Sequence, residues 1–224
     1  MTSKELVQQG KVTEALAALQ AEVRAKPNDP KLRVFLFQLL TVLGDWDRAV
    51  NQLKVATDQD AEALLMAQVC GPALAAENLR AEIFAGKRTP LILGQPEEWV
   101  SLLVQANKHF ADKQYEASAE LRDKAFEAAP AVSGTLNGQP FAWIADADQR
   151  FGPLFEAILD GKYYWIPFSH ISSLTIDKPS DLRDLVWLPG IVTLAENTFQ
   201  MNVTPGHASA ISGLTTALDQ PEFA

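Results

Sequence analysis

The chain has 224 residues, of which 47% are apolar, and its formal net charge is −9. This apolar content excludes a disordered chain and allows one large domain or two small ones. The acidic balance argues against nucleic-acid binding, since phosphate contacts need a positive face. One cysteine cannot form an internal disulfide, and no segment has the pattern of a signal peptide or membrane span, so we expect a soluble, cytoplasmic protein.

A helix–turn–helix repeat opens the chain. The segment 10–15 (GKVTEA) aligns with the segment 44–49 (GDWDRA) at an offset of 34 residues, the period of the tetratricopeptide repeat. In each copy a glycine can end the first helix in the left-handed region, and an alanine lets the second helix approach closely. Pro27 then closes the first repeat. The spacing predicts two helical hairpins, each a pair of helices, before residue 60.

A third, degenerate copy follows further along the chain. Its first helix is predicted at 97–110, with Tyr115 in the turn and Pro130 at the closing position. The interval between the second and third copies leaves room for a divergent pair of helices at 61–69 and 72–85. The alternative to a repeat is a generic helical bundle with accidental spacing.

The composition changes after residue 130 to short apolar runs broken by turn residues. The run 141–144 suits a buried strand, and Asp160-Gly161 predicts a hairpin turn, although 154–159 could also be helical. Further short strands are predicted at 185–188 and 191–194, and 205–224 has the composition of a partly disordered tail. We therefore predict an α+β protein: a tetratricopeptide-like helical domain in residues 1–130, then a small β-rich domain in residues 131–224, built as a bent sheet or partial barrel.

An acidic loop is the densest cluster of unusual residues. Asp146, Asp148 and Glu156 could form a metal site or an acid–base pair of a metal-dependent hydrolase. Alternatively, Asp146 and Asp148 cap a turn and accept backbone N–H bonds, while Arg150 pairs with one of them. The three histidines are isolated in sequence, so no histidine metal site is expected, and no cofactor is implied.

Aromatic residues are the candidates for protein recognition, because they anchor interfaces. If the run 163–165 (YYW) is a strand, its side chains alternate between two faces. One face then belongs to the core, and the other either packs on the helices or is exposed. We select Trp46, Trp99, Tyr164 and Trp165 as partner-binding candidates, on the expectation that they are half-buried.

An ordered run of residues in the second half resembles the ImpE family, also called TagJ, an accessory component of bacterial type VI secretion systems. The residues that carry the resemblance are Trp143, Asp146, Asp148, Arg150, Gly152, Pro153, Glu156, Gly161, Arg183, Asp184 and Trp187. The resemblance implies a non-enzymatic adaptor that binds an N-terminal helix of the small contractile-sheath subunit and is linked to sheath disassembly by the ClpV ATPase. It brings no catalytic residues. The alternatives are the hydrolase and a repeat scaffold for another protein.

Overall fold

The computed structural model describes residues 1–95, 97–194 and 198–203. The chain divides into two compact units. The first comprises Met1–Ala75 with Pro179–Val186, and the second comprises Ala76–Lys178 with the chain from Trp187 onward. Both units thus contain pieces that are distant in sequence, and the domain boundary at residue 130 stays a prediction.

Two helical hairpins begin the first unit. They consist of α1 (Ser3–Gln8) with α2 (Val12–Ala25) and α3 (Pro30–Val42) with α4 (Trp46–Gln59). Gly10 and Gly44 follow the first helix of each pair with φ of +71° and +70°, a conformation that glycine adopts without steric cost. Ala15 and Ala49 are fully buried where the helices pack. The repeat therefore has the turns and close contacts that its sequence predicts.

The next helix, α5 (Ala61–Phe84), corrects the prediction of two helices at 61–69 and 72–85. It runs unbroken through Pro72, although an interior proline costs a hydrogen bond and about 3 kcal/mol. Several residues after the proline are buried, among them Ala73 and Leu74. Packing of this segment therefore outweighs the local signal to end the helix.

The third hairpin, α6 (Glu98–Ala111) and α7 (Tyr115–Ala128), lies in the second unit. Lys113 occupies the position of the turn glycine with φ of +62°. The Ser118 hydroxyl donates to the Ala106 carbonyl at 2.8 Å, and the Asn107 amide donates to the Ile83 carbonyl at 2.7 Å. These bonds join α6 to α7 and to α5.

In the described residues, six strands form one sheet in the order β1-β5-β4-β8-β7-β6, and two form a separate hairpin. The strands are β1 (Leu91–Ile92), β2 (Gly134–Leu136), β3 (Gln139–Phe141), β4 (Leu154–Leu159), β5 (Lys162–Pro167), β6 (Ile171–Ile176), β7 (Leu188–Leu194) and β8 (Thr198–Val203). Strand β1 pairs with β5 in parallel, and the other pairs are antiparallel. A helical N-terminal region followed by a strand-rich region is the predicted fold class.

The β4–β5 hairpin forms at the predicted turn, with Asp160 and Gly161 at φ of +47° and +73°, so the helical alternative for 154–159 is wrong. The buried strand at 141–144 is also wrong, because β3 ends at Phe141 and Trp143 is 59% exposed. The strand predicted at 191–194 is confirmed as part of β7, which begins at Leu188. The strand predicted at 185–188 is wrong except for Leu188, because Leu185 ends a 3₁₀ turn, Leu182–Leu185. Pairing of β7 with both β6 and β8 holds Pro189-Gly190 extended. The tail predicted at 205–224 lies outside the described residues.

Candidate functional site

The acidic loop forms a turn that is held by hydrogen bonds among its own residues. One carboxylate oxygen of Asp146 accepts the backbone N–H of Asp148 at 2.8 Å, and the Asp146 N–H donates to the Gly152 carbonyl at 2.6 Å. Asp148 in turn accepts the backbone N–H of Arg150 at 2.9 Å and pairs with its guanidinium at 2.5 Å. The two aspartates thus make the contacts of the turn interpretation: backbone amides and Arg150.

Asp146 is a buried carboxyl of this loop. Its side chain is buried, and this burial raises its pKa from the ordinary 3.8 to about 7. The nearby charges of Asp148 and Glu156 raise the pKa further, whereas the Asp148 N–H and the Arg150 charge oppose the rise. A carboxyl that titrates near neutral pH is therefore built into the loop.

Glu156 belongs to a different network, in the middle of β4. Its carboxylate pairs with the Arg80 Nε at 2.6 Å and accepts the Tyr163 hydroxyl. That hydroxyl accepts the indole N–H of Trp165 at 2.9 Å, and burial raises the pKa of Tyr163 well above its usual value. The network ties β4 and β5 to α5 through buried, charge-assisted hydrogen bonds.

These contacts weigh against the metal-dependent hydrolase. Within residues 1–95, 97–194 and 198–203, no group of three His, Cys, Asp or Glu side chains is arranged to hold a metal ion. Asp146 and Asp148 accept backbone N–H groups of their own loop, while Glu156 bonds to Arg80 and Tyr163. Each of the three carboxylates that the hydrolase would need therefore makes structural hydrogen bonds to backbone amides or to other side chains.

A shallow groove of about 290 Å³ borders the acidic loop. Its lining comprises residues at the end of α7 and in the loop: Phe126, Ala129, Pro130, Ala131, Trp143, Ile144, Ala145, Asp146, Gln149, Gly152 and Pro153. Trp143 and Phe126 are 59% and 37% exposed. Gly152 has φ of +54°, and a Cβ there would collide with the Phe126 ring. This collision, together with the φ value, explains the glycine in the motif.

The structure separates the four aromatic candidates into two pairs. Trp46 and Tyr164 are half-buried, as expected. The same expectation is wrong for Trp99 and Trp165, which are 3% and 0% exposed. Trp165 packs edge-on against Phe151 with ring centroids 5.2 Å apart. Partner binding by these four residues stays a prediction, and for Trp99 and Trp165 it would need local opening.

The remaining motif residues lie near Leu182–Leu185. The Asp184 carboxylate accepts the backbone N–H groups of Ser180 and Asp181 at 2.8 and 3.0 Å. Arg183 pairs with Asp184 at 3.4 Å. In the second unit, Trp187 donates its indole N–H to Glu77 at 3.0 Å, and burial raises the pKa of that glutamate.

Sequence reasoning missed the partners that α5 supplies. Glu77, Arg80 and Phe84 lie three and four residues apart, so they share one face of the helix. The guanidinium carbons of Arg80 and Arg150 lie 4.9 and 4.2 Å from the centre of the Phe84 ring. The spacing of these three residues could have indicated a shared helix face. It could not have identified their partners, which lie more than 60 positions away in the sequence.

The fold and the contacts of the motif residues together define a class of protein. It is a tetratricopeptide-like repeat protein with a strand-rich C-terminal region. None of the helices in the described part of the chain combines the length and apolarity needed to cross a membrane. Comparison with known proteins agrees with both halves of this description. Residues 6–69 match the tetratricopeptide repeat model, and residues 138–216 match the model of the ImpE protein family.

The chain is 51% identical over 205 residues to the type VI secretion system accessory component TagJ of Pseudomonas aeruginosa, an alignment that covers 92% of this chain and 73% of that relative. A crystal structure of the protein VPA1032 from Vibrio parahaemolyticus matches with a TM-score of 0.82 at 26% identity, over 89% of this chain and 77% of that one. The chain belongs to the ImpE family, whose members include the secretion accessory component TagJ.

Proposed function

We propose that this protein is a non-enzymatic adaptor of a bacterial type VI secretion system, located in the cytoplasm. It binds an N-terminal helix of the small contractile-sheath subunit and is thereby linked to sheath disassembly by the ClpV ATPase. The observation that carries the proposal is the 51% identity, over nearly the whole chain, to an accessory component of such a system.

Two features of the structure support an adaptor. Stacked helical hairpins present extended surfaces, and an amphipathic helix that lays its apolar face on such a surface is a common mode of recognition. The acidic residues that could have served catalysis instead bond to backbone amides, to arginines and to Tyr163.

Calorimetric titration tests the binding step. A synthetic peptide of the first helix of the small sheath subunit should bind the full chain with a dissociation constant of about 1 μM or tighter, equivalent to about −8 kcal/mol. A peptide of the same composition in scrambled order, which lacks a continuous apolar face, is the matched control. Failure of the native peptide to bind at high micromolar concentration would contradict the proposal.

A pull-down tests the larger assembly. The chain should retain the small sheath subunit but not a version that lacks its N-terminal helix. Purified ClpV is then added with and without the sheath subunit. Retention of ClpV that depends on the sheath subunit indicates an indirect link, whereas retention without it indicates direct contact. The absence of ClpV under both conditions would remove the disassembly part of the proposal.

A further inference from the structure

Helix α3 is buried on more sides than its repeat neighbours explain. Six consecutive residues, 36–41, are all buried, and they span more than one full turn of helix. A surface helix normally buries a single stripe. Helices α2 and α4 contact α3, and the 3₁₀ turn Leu182–Leu185 contacts it as well. A short segment from the second half of the chain therefore covers a face of the repeat.

The covering segment, Pro179–Val186, is held in shape by hydrogen bonds between its own residues. The Asp184 carboxylate accepts two backbone N–H groups at the start of the turn, and the backbone N–H groups of Asp184 and Val186 donate to carbonyls within the segment. Arg183 pairs with Asp181 at 3.5 Å and with Asp184 at 3.4 Å. These bonds lie within one short turn, which is not stable in water by itself and depends on packing against the helices.

Its polar attachment to the helices is weak. The Arg183 guanidinium donates to the Cys70 thiol at 3.6 Å, and sulfur is a weak acceptor. Leu182 is half-buried, while Leu185, three residues later, is 54% exposed. The segment thus lies with one short helical turn against a face of the repeat, and Leu182, rather than Leu185, is its partly buried apolar residue. This is the pattern of a helix docked on a surface.

We propose that this face of α3 is the docking surface for the partner helix, and that Pro179–Val186 is an intramolecular ligand which the partner displaces. The inference rests on the proposed function and names the site for it. The occupant is an amphipathic helix that places a leucine-like residue where Leu182 lies, because the surface already accepts one helical turn in which this residue is half-buried. Binding is weakened by competition with the segment, since only the open fraction of the protein can dock.

Hydrogen exchange of the full chain, read by mass spectrometry, tests displacement directly. The backbone N–H groups of Ser180, Asp181, Asp184 and Val186 are hydrogen-bonded in the closed segment. A saturating concentration of the sheath-helix peptide should accelerate exchange in residues 179–186. Unchanged or slower exchange at saturation, with binding confirmed by calorimetry, would overturn the inference and leave the proposed function intact. Absence of binding would remove both.

Arg183→Ala tests the competition from the side of the protein. Loss of this side chain should loosen the segment and tighten peptide binding by about fivefold, the effect of removing one modest hydrogen-bonding interaction. Without peptide, it should also speed the labelling of Cys70, the one thiol in the chain. Arg48→Ala, which removes an exposed arginine paired with Asp45 in the same unit, should change neither property. An affinity of Arg183→Ala equal to or weaker than that of the wild type would contradict displacement.

Discussion

Replacement of Asp146 by asparagine should change how the stability of this protein depends on pH. The asparagine keeps an oxygen that can accept the Asp148 N–H, but it has no titrating proton. In the wild type the pKa of Asp146 is raised from 3.8 to about 7, chiefly by burial. Between these values the folded state holds a proton that the unfolded chain has lost. The Asp146 contribution to stability therefore falls as pH rises from about 4 to about 7, and then stays constant.

The magnitude follows from the pKa difference. Each pH unit well between the two pKa values costs about 1.4 kcal/mol. Because Asp146 in the folded protein is about half ionised at pH 7, the wild type should lose about 2 kcal/mol relative to Asp146→Asn between pH 5 and pH 7. Urea unfolding of both proteins at pH 5, 6, 7 and 8 measures this difference, and subtraction of the two curves cancels the other titrating groups.

The matched control is Asp160→Asn at the exposed tip of the β4–β5 hairpin. It removes a carboxylate charge outside the loop and should keep the wild-type slope. If the difference between Asp146→Asn and the wild type is the same at pH 5 and pH 8, the reasoning about desolvation of Asp146 is refuted.

Three further substitutions test the packing of the second unit. Arg80→Met should lower the free energy of unfolding by about 3–5 kcal/mol, because it removes the cation that neutralises buried Glu156; Glu156→Gln in the same chain should recover part of the loss in urea unfolding. Gly152→Ala should cost about 1–3 kcal/mol through backbone strain and collision with Phe126, and a double-mutant cycle with Phe126→Ala should show coupling, whereas additive losses would contradict the collision. Trp165→Ala should lower stability by about 3–5 kcal/mol without weakening peptide binding by the folded protein; weaker binding at unchanged stability would instead support an interface role for Trp165.

The sequence predicted those parts of the fold that local chemistry determines. The 34-residue offset located two helical hairpins, since a glycine turn and a small packing residue act within one hairpin. The Asp160-Gly161 pair located the β4–β5 turn because few residues adopt positive φ readily. The sequence also predicted the turn interpretation of the acidic loop, because Asp146 and Asp148 bond to backbone amides only two residues away.

Local signals were wrong where packing outweighed them. Pro72 predicted a helix break, but α5 continues through it. Aromatic type led us to expect Trp99 and Trp165 to be half-buried, yet both are buried. Residue type alone does not distinguish an aromatic anchor at an interface from one in the core, because both roles rely on the same large apolar surface.

The sequence by itself thus determined the repeat, the change from helices to strands and the family motif, all of which depend on residues close together in the chain. Tertiary structure alone decided that Arg80 meets Glu156, 76 residues away, and that Arg183 reaches Cys70 across 113 residues. It also decided that Pro179–Val186 covers α3. The physical reason is that such contacts arise from the burial of whole surfaces, to which many distant residues contribute together, and no short stretch of sequence specifies which surfaces meet.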